Sequence, residues 1–115
     1  MRSDISMRRE DDVVIVAPVG ELDAITSPAL ADVLDDVLFS GPPRGVVVDL
    51  AEVSFCDSRC IGVLVSAYRQ ARDIGVGLVV AELQQQVNRL FVIAGIDQVM
   101  PIIASVDSAV ISLND

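Results

Sequence analysis

Residues 55–62 read FCDSRCIG, and they place a carboxylate, a hydroxyl, a guanidinium and two thiols within eight positions. A junction between a strand and a helix needs one capping side chain, and either Asp57 or Ser58 can supply it. The surplus groups allow three kinds of chemistry: phosphorylation of Ser58, reaction of the Cys60 thiol, and contact with charged groups of another protein. This segment is therefore the best indication of function in the sequence.

The two thiols, Cys56 and Cys60, are four residues apart. We expect Cys56 to pack as a small apolar side chain, because free cysteine is commonly buried. Cys60 is predicted in the first turn of a helix beside Arg59, where both surroundings favour a thiolate, so a redox-sensing role stays open. A disulfide between the two would require their Cα atoms to lie within about 7 Å. A reducing compartment would keep both as thiols.

The composition excludes several classes of catalysis. The chain contains no His and no Lys, since all eight basic residues are Arg. Ser-His and Cys-His dyads, Schiff-base lysines, P-loop lysines and histidine metal sites are therefore ruled out. The acids are scattered, so we expect no metal and no cofactor. A small thiol enzyme built on Cys60 is disfavoured, because only a carboxylate could act as its base. We expect the protein not to be an enzyme.

The charge and the apolar runs indicate where the protein works. A formal net charge of -9 with a pI near 4.2 has the wrong sign for binding phosphate backbones, so nucleic acid is not an expected partner. Apolar runs are broken well before the roughly 20 residues that cross a bilayer. The first ten residues, MRSDISMRRE, lack the apolar centre of a signal peptide. We expect a cytoplasmic protein with no membrane partner.

Hydrophobic periodicity predicts a single α/β domain over residues 1–115, with a mixed, mostly parallel sheet of four or five strands and about four helices. Strands are predicted at 13–16, 45–50, 76–82 and 102–103, a turn at 20–23 (GELD), and helices from Ser27, from about 59 to 73, over 87–94 and over 106–113. The strand at 45–50 (GVVVDL) is a continuous apolar run, which is typical of a central strand. FCDSRCIG lies beyond its carboxyl end and opens the next helix, where N–H groups favour an anion or a phosphorylated hydroxyl.

The order of these landmarks resembles the anti-sigma factor antagonist family, the STAS domains, from about residue 10 to residue 113. The segments that carry the resemblance are GELDAITSPAL, VVVDLAEVSFCDS, IGVLVSAYRQAR and LFVIAGIDQVMPI. In that family the strand-to-helix loop usually reads DSSG or DSTG. Its second hydroxyl residue is phosphorylated by a partner kinase that is also the anti-sigma factor. The unphosphorylated form binds the anti-sigma factor and releases a sigma factor, and the phosphorylated form does not.

The resemblance aligns Asp57 and Ser58 with the family's DS, which places Arg59 at the usual phosphoacceptor and Cys60 at the usual small residue. Arginine cannot accept a phosphoryl group, so we expect the standard switch to be absent, with Ser58 as the alternative phosphoacceptor. The Arg59 cation lies where the helix macrodipole penalises positive charge by about 0.3 to 1 kcal/mol. We therefore expect a partner for it, which is Asp57, Asp23 or a surface of another protein.

The predicted function is that of an anti-sigma factor antagonist, a bacterial regulator of transcription that docks on a serine kinase-like anti-sigma factor. The predicted docking residues are Asp23, Asp57, Ser58, Arg59, Cys60 and Gly62. The alternative is a redox-responsive STAS module in which Cys60, with Cys56, replaces phosphorylation as the switch. We expect a monomer or a weak dimer.

Overall fold

The computed structural model describes residues 4–115. Over this range the chain forms six strands, four α-helices and one short 3-10 helix. The strands are β1 (Asp4–Glu10), β2 (Val13–Leu22), β3 (Gly45–Asp49), β4 (Val53–Cys56), β5 (Gly77–Ala81) and β6 (Ile102–Ile103). The helices are α1 (Ser27–Phe39), α2 (Ser58–Asp73), α3 (Gln85–Ile93) and α4 (Val106–Asn114), and the 3-10 helix is Ile96–Gln98.

The sheet has the strand order β1-β2-β3-β5-β6, and β4 pairs with the far end of β2. Only the β1 and β2 pair is antiparallel, and the other described pairs are parallel. The central strand is β3, in which Val47 is fully buried. The predicted mixed, mostly parallel sheet with a central strand at 45–50 is therefore confirmed. The strand number is six rather than four or five, because β1 and β4 were not predicted as strands.

Alternation along β2 divides the core into two layers, because successive side chains of a strand point to opposite faces. Val14 and Val16 join the larger cluster, which α1, α2 and α3 cover, whereas Val13 and Ile15 join the smaller cluster under α4. A strand with both faces covered reads as a continuous apolar run, and this is the pattern of VVIV in the sequence.

Helix α4 packs on the back face of the sheet, the face of Val13 and Ile15, and it lies over a notch formed by Gly45 and Gly77. Gly45 and Gly77 pair in register on β3 and β5, and Leu113 of α4 fills the space above them. A Cβ at Gly45 would lie 2.9 Å from the Leu113 Cβ, and one at Gly77 would lie 2.6 Å from its Cδ2. Only glycine leaves room for this side chain. The Arg44 guanidinium also donates to the Asn114 carbonyl at 2.8 Å, which fixes the last turn of α4.

The first turn of α4 is held by two side chains. Ser105 caps it by accepting a hydrogen bond from the Ser108 N–H at 3.1 Å. The Glu82 carboxylate accepts the Val106 N–H at 2.8 Å. Both ends of the helix are therefore tied to the sheet side of the molecule.

The β2 strand runs further than the sequence indicated. Residues 20–22 belong to the strand, so the predicted turn at 20–23 is wrong for its first three positions. The reason is β4, a partner from far along the chain that pairs with this end of β2. Gly20 takes φ +96, at the point where the register with β4 shifts, and such a positive φ favours glycine.

The start of α1 differs by one position from the sequence pattern, in which Ser27 supplies the N-cap and Pro28 is the first helical residue. In the structure Ser27 is the first helical residue, and the N-cap position belongs to Thr26, whose side chain makes no capping hydrogen bond. None of the helices within 4–115 has the length and apolar character that a bilayer crossing demands.

Candidate functional site

The candidate site lies where β2 and β4 end side by side. Leu22 pairs with Cys56, and the Asp57 N–H donates to the Leu22 carbonyl at 3.1 Å. Asp23 directly follows β2 and Asp57 directly follows β4, so their two carboxylates lie at the same edge of the sheet. Parallel pairing brings these residues together even though they are far apart in sequence.

Asp23 orders the connection between β2 and α1. Its Oδ1 accepts the Ile25 N–H at 2.9 Å and the Thr26 N–H at 3.1 Å, and its own N–H donates to the Thr26 hydroxyl oxygen at 2.9 Å. The Thr26 hydroxyl in turn donates to the Glu21 carbonyl at 2.8 Å. The N–H groups of Thr26 and then Ile25 hold the pKa of the Asp23 carboxyl below its usual range, because they stabilise its ionised form.

Asp57 caps α2. Its Oδ1 accepts the Arg59 N–H at 2.9 Å and the Cys60 N–H at 3.0 Å, which satisfies two of the free donors at the helix start. The helix begins at Ser58. The prediction that Asp57 or Ser58 caps a helix starting near Arg59 is confirmed, with Asp57 in the capping role.

The two aspartates share one property: each uses a single oxygen for the local fold. All hydrogen bonds that the Asp23 and Asp57 side chains accept within residues 4–115 go to Oδ1, and Oδ2 of each carboxylate accepts none. Both residues are half-buried. The structural role therefore leaves one acceptor oxygen on each carboxylate for another molecule.

Ser58 and Arg59 are exposed beside these carboxylates. In the described part of the chain, the Ser58 hydroxyl makes no hydrogen bond, and the Arg59 guanidinium has neither a hydrogen bond nor an ion pair. The predicted pairing of Arg59 with Asp57 or Asp23 is therefore not formed in residues 4–115. The Arg59 side chain instead lines a depression of about 270 Å³ with Ala24 and Pro28 at the start of α1.

A groove between α1 and α2 continues from this depression, with a volume of about 480 Å³. Its lining residues are Ala31, Leu34, Asp35, Ser58, Arg59, Gly62, Val63, Ser66, Ala67 and Gln70. We call it the interhelical groove. Gly62 is exposed, and a Cβ added there would meet no atom within 4 Å. The part of α1 in this site was not predicted, although small residues on both helices (Ala31, Gly62 and Ser66) are the sequence signal for such a groove.

Cys56 and Cys60 are joined through their sulfur atoms, and their Cα atoms are 5.5 Å apart. This separation meets the condition stated for a disulfide. The relative exposure is 1% for Cys56 and 0% for Cys60, so both side chains point into the core. Cys56 is buried, as expected from the sequence, and Cys60 contributes no side-chain surface to the exposed face.

The acidic residues do not gather into a metal centre in the described residues. No group of three or more Cys, Asp or Glu side chains within 4–115 is placed to hold an ion. The site therefore consists of two carboxylates with one free oxygen each, one free hydroxyl and one unpaired guanidinium, all beside a groove. Such a set is suited to contact with a protein surface.

Comparisons with known proteins agree on one family. The family model of the STAS domain matches residues 4–109. An anti-sigma-B factor antagonist of Listeria monocytogenes is 33% identical over 96 residues, which are 82% of this chain and 82% of that protein. The crystal structure of an anti-sigma factor antagonist from Mycobacterium paratuberculosis superposes with a TM-score of 0.85 at 26% identity, covering 98% of this chain and 95% of that one. The unphosphorylated form of SpoIIAA, a Bacillus cell fate determinant, has the same fold, with a TM-score of 0.82 at 17% identity over 96% of each chain.

Proposed function

The chain belongs to the STAS domain family of anti-sigma factor antagonists, and on this premise we propose that it docks on an anti-sigma factor through the face around Asp57. The observation that carries the proposal is the pairing of β2 with β4, because it places Asp23 beside the capped start of α2. We call Asp23, Asp57, Ser58, Arg59 and Gly62 the docking face.

The free groups of the docking face define what a partner must supply. The two Oδ2 atoms of Asp23 and Asp57 require hydrogen-bond donors, and charge-assisted bonds from arginine or lysine satisfy them best. The Arg59 guanidinium requires an acceptor, which the partner supplies as a carboxylate or a carbonyl. The interhelical groove offers apolar side walls for a partner side chain. A surface with one central basic group and a neighbouring acidic group therefore fits.

The partner is proposed to be a serine kinase-like anti-sigma factor that cannot use the second position of this loop as an acceptor. Residue 59 is an arginine, so no hydroxyl stands at the position where the family is phosphorylated. The protein then remains a competent antagonist whatever the supply of ATP. Ser58 is the remaining candidate, since its hydroxyl is exposed and unbonded within the described residues.

Phosphorylation at Ser58 would meet opposing forces. A phosphate adds about 1.5 to 2 negative charges, and it would lie beside the Asp57 carboxylate that already occupies the Arg59 and Cys60 N–H groups. The Arg59 guanidinium would offset part of this repulsion. We therefore propose that Ser58 is a poor acceptor and that docking does not depend on ATP.

An experiment with an anti-sigma-B factor tests the switch, since the Listeria relative antagonises this class of protein by name. The chain is incubated with the anti-sigma factor and ATP, and its intact mass is measured. We expect no phosphate on the natural chain and phosphate at residue 59 in Arg59→Ser. Arg69→Ser, an exposed change further along α2, is the matched control and should stay unmodified. A phosphate on the natural chain that Ser58→Ala abolishes would overturn the proposal of an antagonist without a phospho-switch.

A second experiment tests the docking face itself. Asp23→Asn keeps an acceptor oxygen for the Ile25 and Thr26 N–H groups and removes the charge, so the turn should persist. We expect the affinity for the anti-sigma factor to fall at least about tenfold, because a hydrogen bond to a charged group contributes about 1.5 to 3 kcal/mol. Asp32→Asn, an exposed acid of α1 outside the interhelical groove, should leave the affinity unchanged. If both variants lowered the affinity equally, the loss would be a general effect of net charge, and it would contradict a specific role of the docking face.

A further inference from the structure

We propose that Cys56 and Cys60 form a reversible dithiol–disulfide site that holds the first turn of α2 against β4. The two residues are the last of the strand and the third of the helix. The segment that their bond closes contains Asp57, Ser58 and Arg59, which are three of the five residues of the docking face. The consequence for docking rests on the proposed function, whereas the site itself does not.

The positions of the two residues carry this inference. Cys56 is anchored because it pairs with Leu22 of β2, and the Asp57 N–H donates to the same residue's carbonyl at 3.1 Å. Cys60 lies at the free end of a helix, held by the Asp57 cap through its N–H at 3.0 Å. A bond between a fixed strand end and a helix start therefore restrains the start of the helix. The Cα separation of 5.5 Å allows the bond with no movement of the backbone.

Burial determines how the site reacts. Both sulfurs are enclosed, so a reagent reaches them only when the first turn of α2 opens. In that open state the Cys60 sulfur is exposed to solvent, where an oxidant or a reductant can reach it. The slow step of the reaction is then the opening, and the closed structure protects whichever state has formed.

The oxidant is a hydroperoxide. The Cys60 thiolate attacks the terminal oxygen, the O–O bond breaks, and Cys60 becomes a sulfenic acid while the peroxide leaves as an alcohol after taking up a proton. The Cys56 thiol then attacks the Cys60 sulfur, the S–O bond breaks, and the hydroxyl leaves with the thiol proton as water. Two thiols and one hydroperoxide thus give one disulfide, one alcohol and one water. A dithiol reductant reverses the step through a mixed disulfide.

The disulfide should order the docking face before a partner arrives. A loop that is already held in one conformation loses less freedom on binding, so affinity rises. The oxidised chain is therefore the better antagonist, and the reduced chain is the weaker one. Oxidation would in this way take over the control that a phosphoacceptor at residue 59 cannot give.

The site is tested on the full chain without any partner. Samples are treated with hydrogen peroxide or with dithiothreitol, denatured, and alkylated with N-ethylmaleimide. We expect two labels on the reduced chain and none on the oxidised chain. Amide hydrogen exchange at residues 59–61 should be roughly tenfold slower in the oxidised chain, because closing a short loop removes open conformations. The double variant Cys56→Ser/Cys60→Ser should exchange like the reduced chain under both treatments.

Two results would overturn the site: labels that persist after peroxide, or exchange at 59–61 that is the same in both states. Loss of only one label after peroxide would indicate oxidation of a single cysteine rather than a bond between the two, and it would also overturn the proposal. Since these measurements need no partner, they stand even if the anti-sigma factor fails to bind.

The effect on docking is measured separately with the anti-sigma-B factor. We expect the oxidised chain to bind about threefold to tenfold more tightly than the reduced chain, the range for pre-ordering a few side chains. The double serine variant should bind equally under both treatments. Equal affinity of the two states would refute the regulatory role. Absence of binding in both states would refute the proposed function and leave the exchange result to decide the disulfide site.

Discussion

Glycines on the two faces of this molecule have opposite surroundings. On the back face, Gly45 and Gly77 leave the space that Leu113 fills, and an added Cβ would lie within 3 Å of that side chain. On the front, Gly62 of α2 faces open space beside the interhelical groove, with no atom within 4 Å of an added Cβ. The same residue type therefore allows close packing on one face and leaves the surface free on the other.

The polar groups of the two faces differ in the same way. At the back, the Arg44 guanidinium and the Glu82 carboxylate bond to the backbone of α4. At the front, Asp23 and Asp57 each keep one free oxygen, and Arg59 has no partner in the described residues. Both charged groups at the back therefore hold α4, whereas at the front the Ser58 hydroxyl and the Arg59 guanidinium make no bond within the described residues. Unused capacity of this kind distinguishes a binding face from a packed one.

The largest expected effect is at the back. Gly45→Ala should lower the free energy of unfolding by about 1 to 3 kcal/mol, because the new methyl group meets the Leu113 Cβ at 2.9 Å and α4 must shift. Gly77→Ala should cost less, since its contact is the terminal Cδ2, which can rotate away. Urea unfolding of the two variants measures both changes.

A rescue tests whether the notch causes this loss. Adding Leu113→Ala to Gly77→Ala removes the clash, because the atom near the added Cβ of residue 77 is the Leu113 Cδ2. The double variant should therefore be more stable than the sum of the two single losses predicts. Strictly additive losses would show that α4 does not depend on the Gly45 and Gly77 notch.

At the front, Asp57→Ala should lower the free energy of unfolding by about 1 kcal/mol, the usual cost of a lost helix cap. Asp57→Asn retains an oxygen for the Arg59 and Cys60 N–H groups and should lose much less. Thermal or urea unfolding compares the two. If both variants lost stability equally, the charge of Asp57 rather than its capping bonds would hold the helix start.

Gly62→Ala should act in the opposite direction to Gly45→Ala. Alanine in an exposed helix position stabilises by about 0.5 to 1 kcal/mol relative to glycine, and the added methyl has open space. The same methyl intrudes on the interhelical groove, so we expect weaker binding to the anti-sigma factor despite the more stable fold. Surface plasmon resonance with Arg69→Ala as the control checks this. Unchanged affinity would exclude Gly62 from the docking face.

The smallest expected effect concerns pH. The pKa of Asp23 is lowered by the Thr26 and Ile25 N–H groups. A lowered folded pKa means that the unfolded state takes up the proton first. The contribution to stability is therefore fully present above the unfolded pKa of about 3.9 and is lost as pH falls through the folded pKa. The stability difference between the natural chain and Asp23→Asn should shrink on acidification. A difference that is flat with pH would contradict this.

The fold was largely predictable because its signals are local. The runs at 13–16 and 45–50 and the helical spacing at 59–73 are recorded in neighbouring residues. β1 was not predicted because its sequence, DISMRRE, has only two apolar residues, Ile5 and Met7. β4 is short, and both Ser54 and Phe55 in its middle are exposed, so its sequence does not show the pattern of a buried strand.

The site was predictable in its residues and less so in its geometry. The sequence indicated Asp57 or Ser58 as the cap, and the family resemblance added Asp23. It did not indicate that β2 extends to Leu22, because the partner strand lies far along the chain. Nor could spacing alone decide whether Cys56 and Cys60 meet, since this depends on the angle between β4 and α2. The unpaired state of Arg59 also follows from the position of α1, which no local pattern records.

The notch beneath Leu113 has a consequence for how the chain folds as it is made. Ribosomes release the chain from its amino end, so β2, β3 and β5 emerge well before Leu113 does. Until then the apolar side chains of Val13, Ile15 and Val47 on the back face have no cover, and glycines beside them add no bulk to shield them. Exposed strands of this kind are sites of aggregation. A nascent chain stalled before residue 106 should therefore depend on chaperones, whereas the released protein should not.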